Sequence, residues 1–234
     1  MMDEEEGGPM STVTKKDRPA KRTRLDRALI VDAGLELAGT PGVTSISVRD
    51  LGSRLGADPT AIYRHFQSKD ALMGALLDEL NGRAVQTVTS PAERWDDRLR
   101  ELAVATLDLF MRHPAIGAEA MTLTTHGPGE LAAIELMLDG FQRCGLDGDE
   151  LVRHYALLAS HVLSLAAGIS RARAEHWTDD EGDPWVDAPL LADPRTFPLI
   201  AQHSVLLSEL RDRDLFLSGV ELVIDSAKRA ASPT

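Results

Sequence analysis

From Pro59 to His65 the chain reads PTAIYRH, and this short run holds its densest set of groups able to touch nucleic acid. Thr60, Tyr63, Arg64 and His65 bring a hydroxyl, a phenol, a guanidinium and an imidazole, all able to hydrogen-bond phosphates or base edges. Pro59 and Ala61 are small enough to let a partner come close. A second set, Glu150, His154 and His161, lies on one predicted helix face and could begin a metal site. Nothing completes that set: there is no H-x-x-x-H pair and no repeated E-x-x-H motif.

The elements that must present the first set are legible around it. Ser47 is a good N-cap, Asp50 favours the positive end of the helix dipole, and Leu51 and Leu55 lie four apart on one face. Gly56 permits a left-handed turn, and Asp58-Pro59 restarts a helix with an N-cap followed by Pro at the first helical position. Ile62 and Phe66, four apart, are predicted to bury against Leu51 and Leu55. Pro59, Thr60, Ala61, Tyr63, Arg64 and His65 are left facing outward.

The segment from Thr60 to Leu72, TAIYRHFQSKDAL, resembles the signature of the TetR family of bacterial transcriptional regulators. In that family a Tyr-x-His-Phe segment on the third helix docks in the major groove, and a Lys at the start of the fourth holds a phosphate. Position by position, the resemblance implies DNA contacts from Ser47, Arg49, Pro59, Thr60, Ala61, Tyr63, Arg64, His65 and Lys69. Among them, Tyr63, His65 and Lys69 would anchor phosphates. The plainer alternative is a helical hairpin with a solvated basic face.

Composition fits this picture. With 234 residues, 43% of them hydrophobic and only 4% aromatic, the chain suits an all-α protein with a sizeable core. The formal charge of −12 is unevenly spread. Lys15 to Asp70 holds eleven basic and seven acidic residues, while the rest of the chain is acidic, which predicts a basic reading head on an acidic body. Cys144 is alone, so no disulfide framework is expected within one chain. No apolar run approaches a membrane span and the start is not signal-like, so a cytoplasmic location without membrane association is expected. No Gly-rich phosphate loop, Gly-x-Ser-x-Gly elbow or Cys-His nucleophile pattern supports an enzyme, and no cofactor is implied.

Three parts are expected: a disordered tail over 1–19, a three-helix helix-turn-helix domain over 20–67, and a helical regulatory and dimerisation domain over 68–234. The basic run Lys15, Lys16, Arg18, Lys21, Arg22 and Arg24 could follow phosphates or enter the minor groove, or could be a solvated tail. A first helix is predicted from an N-cap at Thr23, with Leu25, Leu29, Ala33 and Leu37 on its inner face. A fourth begins after Ser68, and a fifth at Pro91, ending at His113-Pro114. Others follow over Glu130–Cys144, from Asp149 or Gly148 to about His176, Leu199–Leu210 and Asp214–Arg229. The acidic stretch from Thr178 to Pro198 reads as a loop, with the Leu199–Leu210 helix beneath it.

Two of these helices are apolar on several sides. In the second, Gly219 is small enough for close approach, and the family resemblance implies that Leu151–Ile169 and Leu215–Ala227 pair with their copies in a homodimer. It also implies a ligand pocket. Leu102, Thr106 and Ala120 stand where tetracycline-responsive members carry drug-holding Asn, Phe and His, so a more apolar small-molecule effector is expected. Its predicted contacts are Leu102, Thr106, Phe110, Leu123, Met137, Phe141 and His161. The alternatives are that these residues only fill the core of a regulator without an effector, or that His154 and His161 serve a metal carrier or enzyme.

Overall fold

The computed structural model describes residues 25–123, 125–175, 185–186 and 190–232. The tail over 1–19, the basic run from Lys15 to Arg24, the Thr23 cap, His176 and most of the acidic loop lie outside the described residues. All regular elements among the described residues are helices.

Asp26, not Thr23, caps the first helix, α1 (Arg27–Ala38): its carboxylate accepts from the Leu29 N–H at 2.9 Å. The shifted start turns Ile30, Val31, Gly34, Leu35 and Ala38 inward with Ala33, while Leu29 and Leu37 are only partly buried. α2 (Val48–Leu55) begins as expected. The Ser47 hydroxyl accepts from the Asp50 N–H at 3.0 Å and donates to the Asp50 carboxylate at 2.6 Å. Gly56 then turns left-handed at φ 60°, a conformation that costs a glycine little.

α3 (Pro59–Tyr63) is shorter than a continuous Tyr-x-His-Phe helix requires. It closes with a tightened turn in which the N–H groups of His65 and Phe66 both bond the Ile62 carbonyl. The head core is Ile30, Ile46, Leu51, Ile62 and Phe66, each at most 2% exposed, while Leu55 is half-buried.

α4 (Lys69–Gln86), capped by Ser68 on the Ala71 N–H, carries the chain out of the head and buries Leu72, Met73, Leu76, Leu77 and Leu80. α5 (Trp95–Arg112) starts four residues after Pro91. Ser90 and Thr89 instead bond the Glu101 carboxylate, which ties the preceding turn back onto the helix. α6 (Pro114–Gly117) is a single turn. α7 (Pro128–Cys144) begins two residues before the expected Glu130, with Pro128 at its first position and Gly127 as the cap.

α8 (Gly148–Glu175) and α10 (Asp212–Ala231) pack side by side and against α5. Ion pairs bind α5 to α10, Arg213 with Asp108 at 2.8 Å and Arg100 gripping Glu221 with two nitrogens at 2.6 and 2.8 Å, and Arg98 with Asp139 at 2.7 Å ties α5 to α7. The two-pronged pair holds Glu221 below the usual carboxylate range and Arg100 above its own. For α9 (Pro198–Glu209), the loop expected above it lies mostly outside the described residues. No residue of α9 is buried, and Leu199, Val205 and Leu206 are exposed. No helix among the described residues is long and apolar enough to cross a membrane.

Candidate DNA-reading surface and body cavity

The turn chemistry at Asp58 decides where the head's polar groups stand. The Asp58 carboxylate accepts from the Thr60 N–H at 2.8 Å and from the Thr60 hydroxyl at 2.6 Å. These bonds hold its pKa below the ordinary value, the Thr60 hydroxyl contributing most. Thr60 thus keeps only acceptor capacity for a further partner. With α3 pinned at this end, Tyr63 is 48% exposed and Arg64, Thr60 and Lys69 are exposed, while Pro59, Ala61 and His65 are half-buried. Arg49 on α2 is also exposed, and the Ser47 hydroxyl is already spent on its own cap.

One head residue escaped sequence reasoning. The Arg27 guanidinium lies 4.4 Å from the centre of the Phe66 ring and donates to the His65 carbonyl at 3.4 Å, buttressing the end of α3 from α1. Its separation of 38 positions from His65 leaves no local signal. From Leu25 to Asp70 there are five basic and six acidic residues, so the positive excess comes entirely from Lys15–Arg24, outside the described residues.

In the body, α4, α5, α7 and α8 enclose a cavity of about 90 Å³. Leu102, Thr106, Leu123 and Met137 line it, with Ala120 and the apolar side chains of Leu77, Leu99 and Leu158. Phe110, Phe141 and His161 are not among its lining residues. Phe110 is fully buried against Gly117, and Phe141 is fully buried between Trp95 and His154. His161 points the other way: its Nε2 lies 2.8 Å from the Phe216 carbonyl oxygen and its ring stacks on Phe216. A Cβ at Gly219 would collide with that ring, so the small residue does permit the close crossing of α8 and α10.

His154 is likewise engaged at both ring nitrogens, by the Glu150 carbonyl at 2.8 Å and the Ser226 hydroxyl at 3.2 Å. Among the described residues no group of three or more His, Cys, Asp or Glu could hold a metal ion. The two histidines join helices instead.

Tyr155, on the apolar stripe of α8, and Asn81, Thr125 and Glu130, which helical periodicity did not single out, add polar groups to the cavity wall. Thr125 and Glu130 belong to a junction where the start of α7 crosses α4. Asp78 of α4 accepts from the Glu130 N–H at 2.9 Å and from the Thr125 hydroxyl at 3.1 Å, so it caps α7 from another helix. The Glu130 carboxylate in turn accepts from the Thr125 hydroxyl and the His126 N–H at 2.7 and 2.6 Å. A Cβ at Gly129 would strike the Asp78 carbonyl oxygen. Asp78 also faces an open cleft of about 770 Å³ between α1 and α4, and Thr125, which it holds, lines both that cleft and the α7 end of the cavity.

Comparison with known proteins gives a consistent answer along nearly the whole chain. Residues 30–76 match the family described as bacterial regulatory proteins, tetR family, and residues 89–229 match the tetracyclin repressor-like, C-terminal domain. The chain is 26% identical over 208 residues to the tetracycline repressor protein class D of Escherichia coli, covering 86% of this chain and 88% of that protein. Among solved structures it is similar to the Streptomyces coelicolor regulator SCO7222, with TM-score 0.70, 26% identity and coverage of 89% of this chain and 100% of the other. It shares its fold with ActR of the same organism, solved in complex with actinorhodin, with TM-score 0.72, 19% identity and coverage of 90% and 100%.

Proposed function

The chain belongs to the TetR family of DNA-binding transcriptional regulators, with a tetracycline-repressor-like C-terminal domain, and from that premise we propose that it is a homodimeric repressor released by a small, largely apolar effector. The reading divides the chain at α4, with the operator-reading domain ahead of Ser68 and the regulatory and dimerisation domain after it. In the head, Ser47, Arg49, Pro59, Thr60, Ala61, Tyr63, Arg64, His65 and Lys69 form the proposed DNA face. Two heads are needed for two half-sites about one DNA turn apart. The half-exposed apolar residues Val152, Leu157 and Leu222, on α8 and α10, support pairing of those helices with their copies.

The observation that carries the effector reading is that the cavity and the DNA face share α4. Leu77 and Asn81 line the cavity, and Lys69 starts the same rod. From Lys69 to Asn81 the helix rises roughly 18 Å, so a tilt of about 5° at the cavity moves Lys69 by roughly 1.5 Å. The cavity is below the roughly 300 Å³ at which ligand sites usually begin. An occupant must therefore part its walls, and α4 is one of them. Release requires the effector to favour the parted geometry, since equal affinity for both shapes shifts nothing. The tetracycline repressor is a relative, but Leu102, Thr106 and Ala120 here offer a metal-drug complex none of the polar groups expected from that branch.

The test is binding of the full chain to DNA flanking its own gene, followed by fluorescence anisotropy across a salt series. Tyr63→Ala and Lys69→Ala should weaken binding to all sequences, and the loss of the Lys69 charge should lower the salt slope by about one. Arg49→Ala should chiefly relax sequence preference, by about 1–3 kcal/mol at the affected base pair. Unchanged operator affinity in all three would refute this DNA face.

A further inference from the structure

We infer that the effector is an uncharged molecule with an apolar ring body and one hydroxyl or carbonyl group, and that the Asn81 amide is the residue that recognises that group. This rests on the effector reading above and adds the chemistry of the ligand to it.

The lining of the cavity sorts by chemistry. Leu77, Leu99, Leu102, Leu123, Met137 and Leu158 offer only hydrocarbon or thioether surface to an occupant. Its polar end lies where α7 crosses α4. Asn81 is one turn beyond Asp78, beside Gly82, whose own Cβ would stand 3.7 Å from the Gly129 Cα. Most polar groups of the wall are committed. The Thr106 hydroxyl donates to the Leu102 carbonyl at 2.8 Å, and Thr125 and Glu130 are tied to each other and to Asp78 or His126. The Asn81 amide and the Tyr155 hydroxyl, by contrast, make no hydrogen bond to any described residue, and of the two Asn81 is the one on α4 beside this crossing.

A primary amide offers two donor hydrogens and an acceptor oxygen, and facing an apolar cavity it gains most from a ligand that supplies the missing partner. Charge is decided by what the wall lacks. No Lys, Arg or His lines the cavity, so a carboxylate or phosphate would lose its hydration without a counter-charge and would face Glu130. Glu130 is a poor seat for a cation, because its Oε2 already accepts two hydrogen bonds. An uncharged ring compound with one polar group satisfies both ends.

The test uses four probes of one shape: naphthalene, 2-acetylnaphthalene, 2-naphthoate and 2-(aminomethyl)naphthalene, titrated calorimetrically into the full chain and into Asn81→Leu and Asn81→Ser. The ketone should bind about tenfold more tightly than the hydrocarbon, the net gain of one hydrogen bond, and both charged probes should bind more weakly than the hydrocarbon. In both variants that tenfold preference should vanish while naphthalene still binds, which also shows that the variants fold. A preference that survives both substitutions, or tighter binding of 2-naphthoate, overturns the assignment to Asn81 and leaves the cavity a ligand site. Failure of every probe to bind, with operator affinity intact, overturns the inference together with the effector reading beneath it.

Discussion

Every side chain proposed to reach DNA falls between Ser47 and Lys69, and most are exposed around a bend fixed by Gly56, Asp58 and Pro59. The cavity is built the other way, from residues scattered between Leu77 and Leu163 on four helices and the α6–α7 turn. One surface is prepared by local chemistry before its partner arrives, whereas the other exists only after long-range packing and is too small for a drug-sized occupant. A surface of the first kind is expected to fail when its local scaffold fails. One of the second kind is expected to fail when helices are held at the wrong separation.

Phe66→Ala should break the comparison most severely. Phe66 is 2% exposed, fills the head core and carries the Arg27 guanidinium on its face. Its truncation should cost about 3–5 kcal/mol. Operator binding should be lost while the body still binds 2-acetylnaphthalene, read by anisotropy and calorimetry on the same sample. Equal loss of both would mean that head and cavity unfold as one unit.

Gly129→Ala tests the cavity's own scaffold. The added methyl meets the Asp78 carbonyl oxygen, a backbone atom that cannot swing aside, so overpacking should cost about 1–3 kcal/mol in urea denaturation. Gly82→Ala, across the same crossing, is the sharpening control. Its Cβ would sit at ordinary contact distance from Gly129, and alanine favours a helix interior by up to about 1 kcal/mol. Opposite signs at these neighbouring positions would show that the separation of α4 and α7 is set by the Gly129 contact alone.

This contrast also explains what could be read in advance. Caps, the Gly56 bend and the Ile62–Phe66 pair act within a few positions, so the head was legible nearly residue by residue. α3 ended early because the last turn tightens onto the Ile62 carbonyl, which side-chain spacing does not reveal. In the body, periodicity gave the helices but not their partners. Phe110, Phe141 and His161 had the right spacing for an inward face, yet an inward face can meet another helix as well as a cavity. Asp78 and Arg27 carried no local signal because each matters through a contact made far along the chain, and Asn81 because it matters only for the cavity it lines. Nor could spacing show that α9 would lack a buried face among the described residues.

Asp78→Ala should have a smaller effect on stability, about 1 kcal/mol, the usual loss when a helix-capping carboxylate is removed. Its interest lies in coupling. Asp78 ties the start of α7 to α4, so without it the walls should part more readily. The variant should bind 2-acetylnaphthalene more tightly and the operator more weakly than the parent. Movement of the two affinities in the same direction would sink the idea that α4 links them.

The smallest expected effect is a pH dependence at the joint between the two regions. The His113 Nδ1 lies 2.9 Å from the Leu109 carbonyl oxygen, and the ring sits close to Gly39 at the end of α1. Burial, mainly, and the charges of Arg112 and Arg83 hold its pKa below the ordinary 6.5. The unfolded chain therefore takes up a proton that the folded chain refuses, and stability should fall as pH drops below 6.5 until His113 itself titrates. Asp96, between α5 and α10, acts in a separate window. Burial alone would raise its pKa, but Lys228 and Arg100 outweigh that and bring it to about 2, so the stability it adds above 3.8 is lost as pH falls toward 2. In His113→Gln the loss just below pH 6.5 should shrink while the loss below 3.8 stays unchanged, followed by urea midpoints across the range. If the upper loss is untouched, His113 does not hold the joint through its neutral form, and the head is fastened to the body by α4 and the apolar contacts alone.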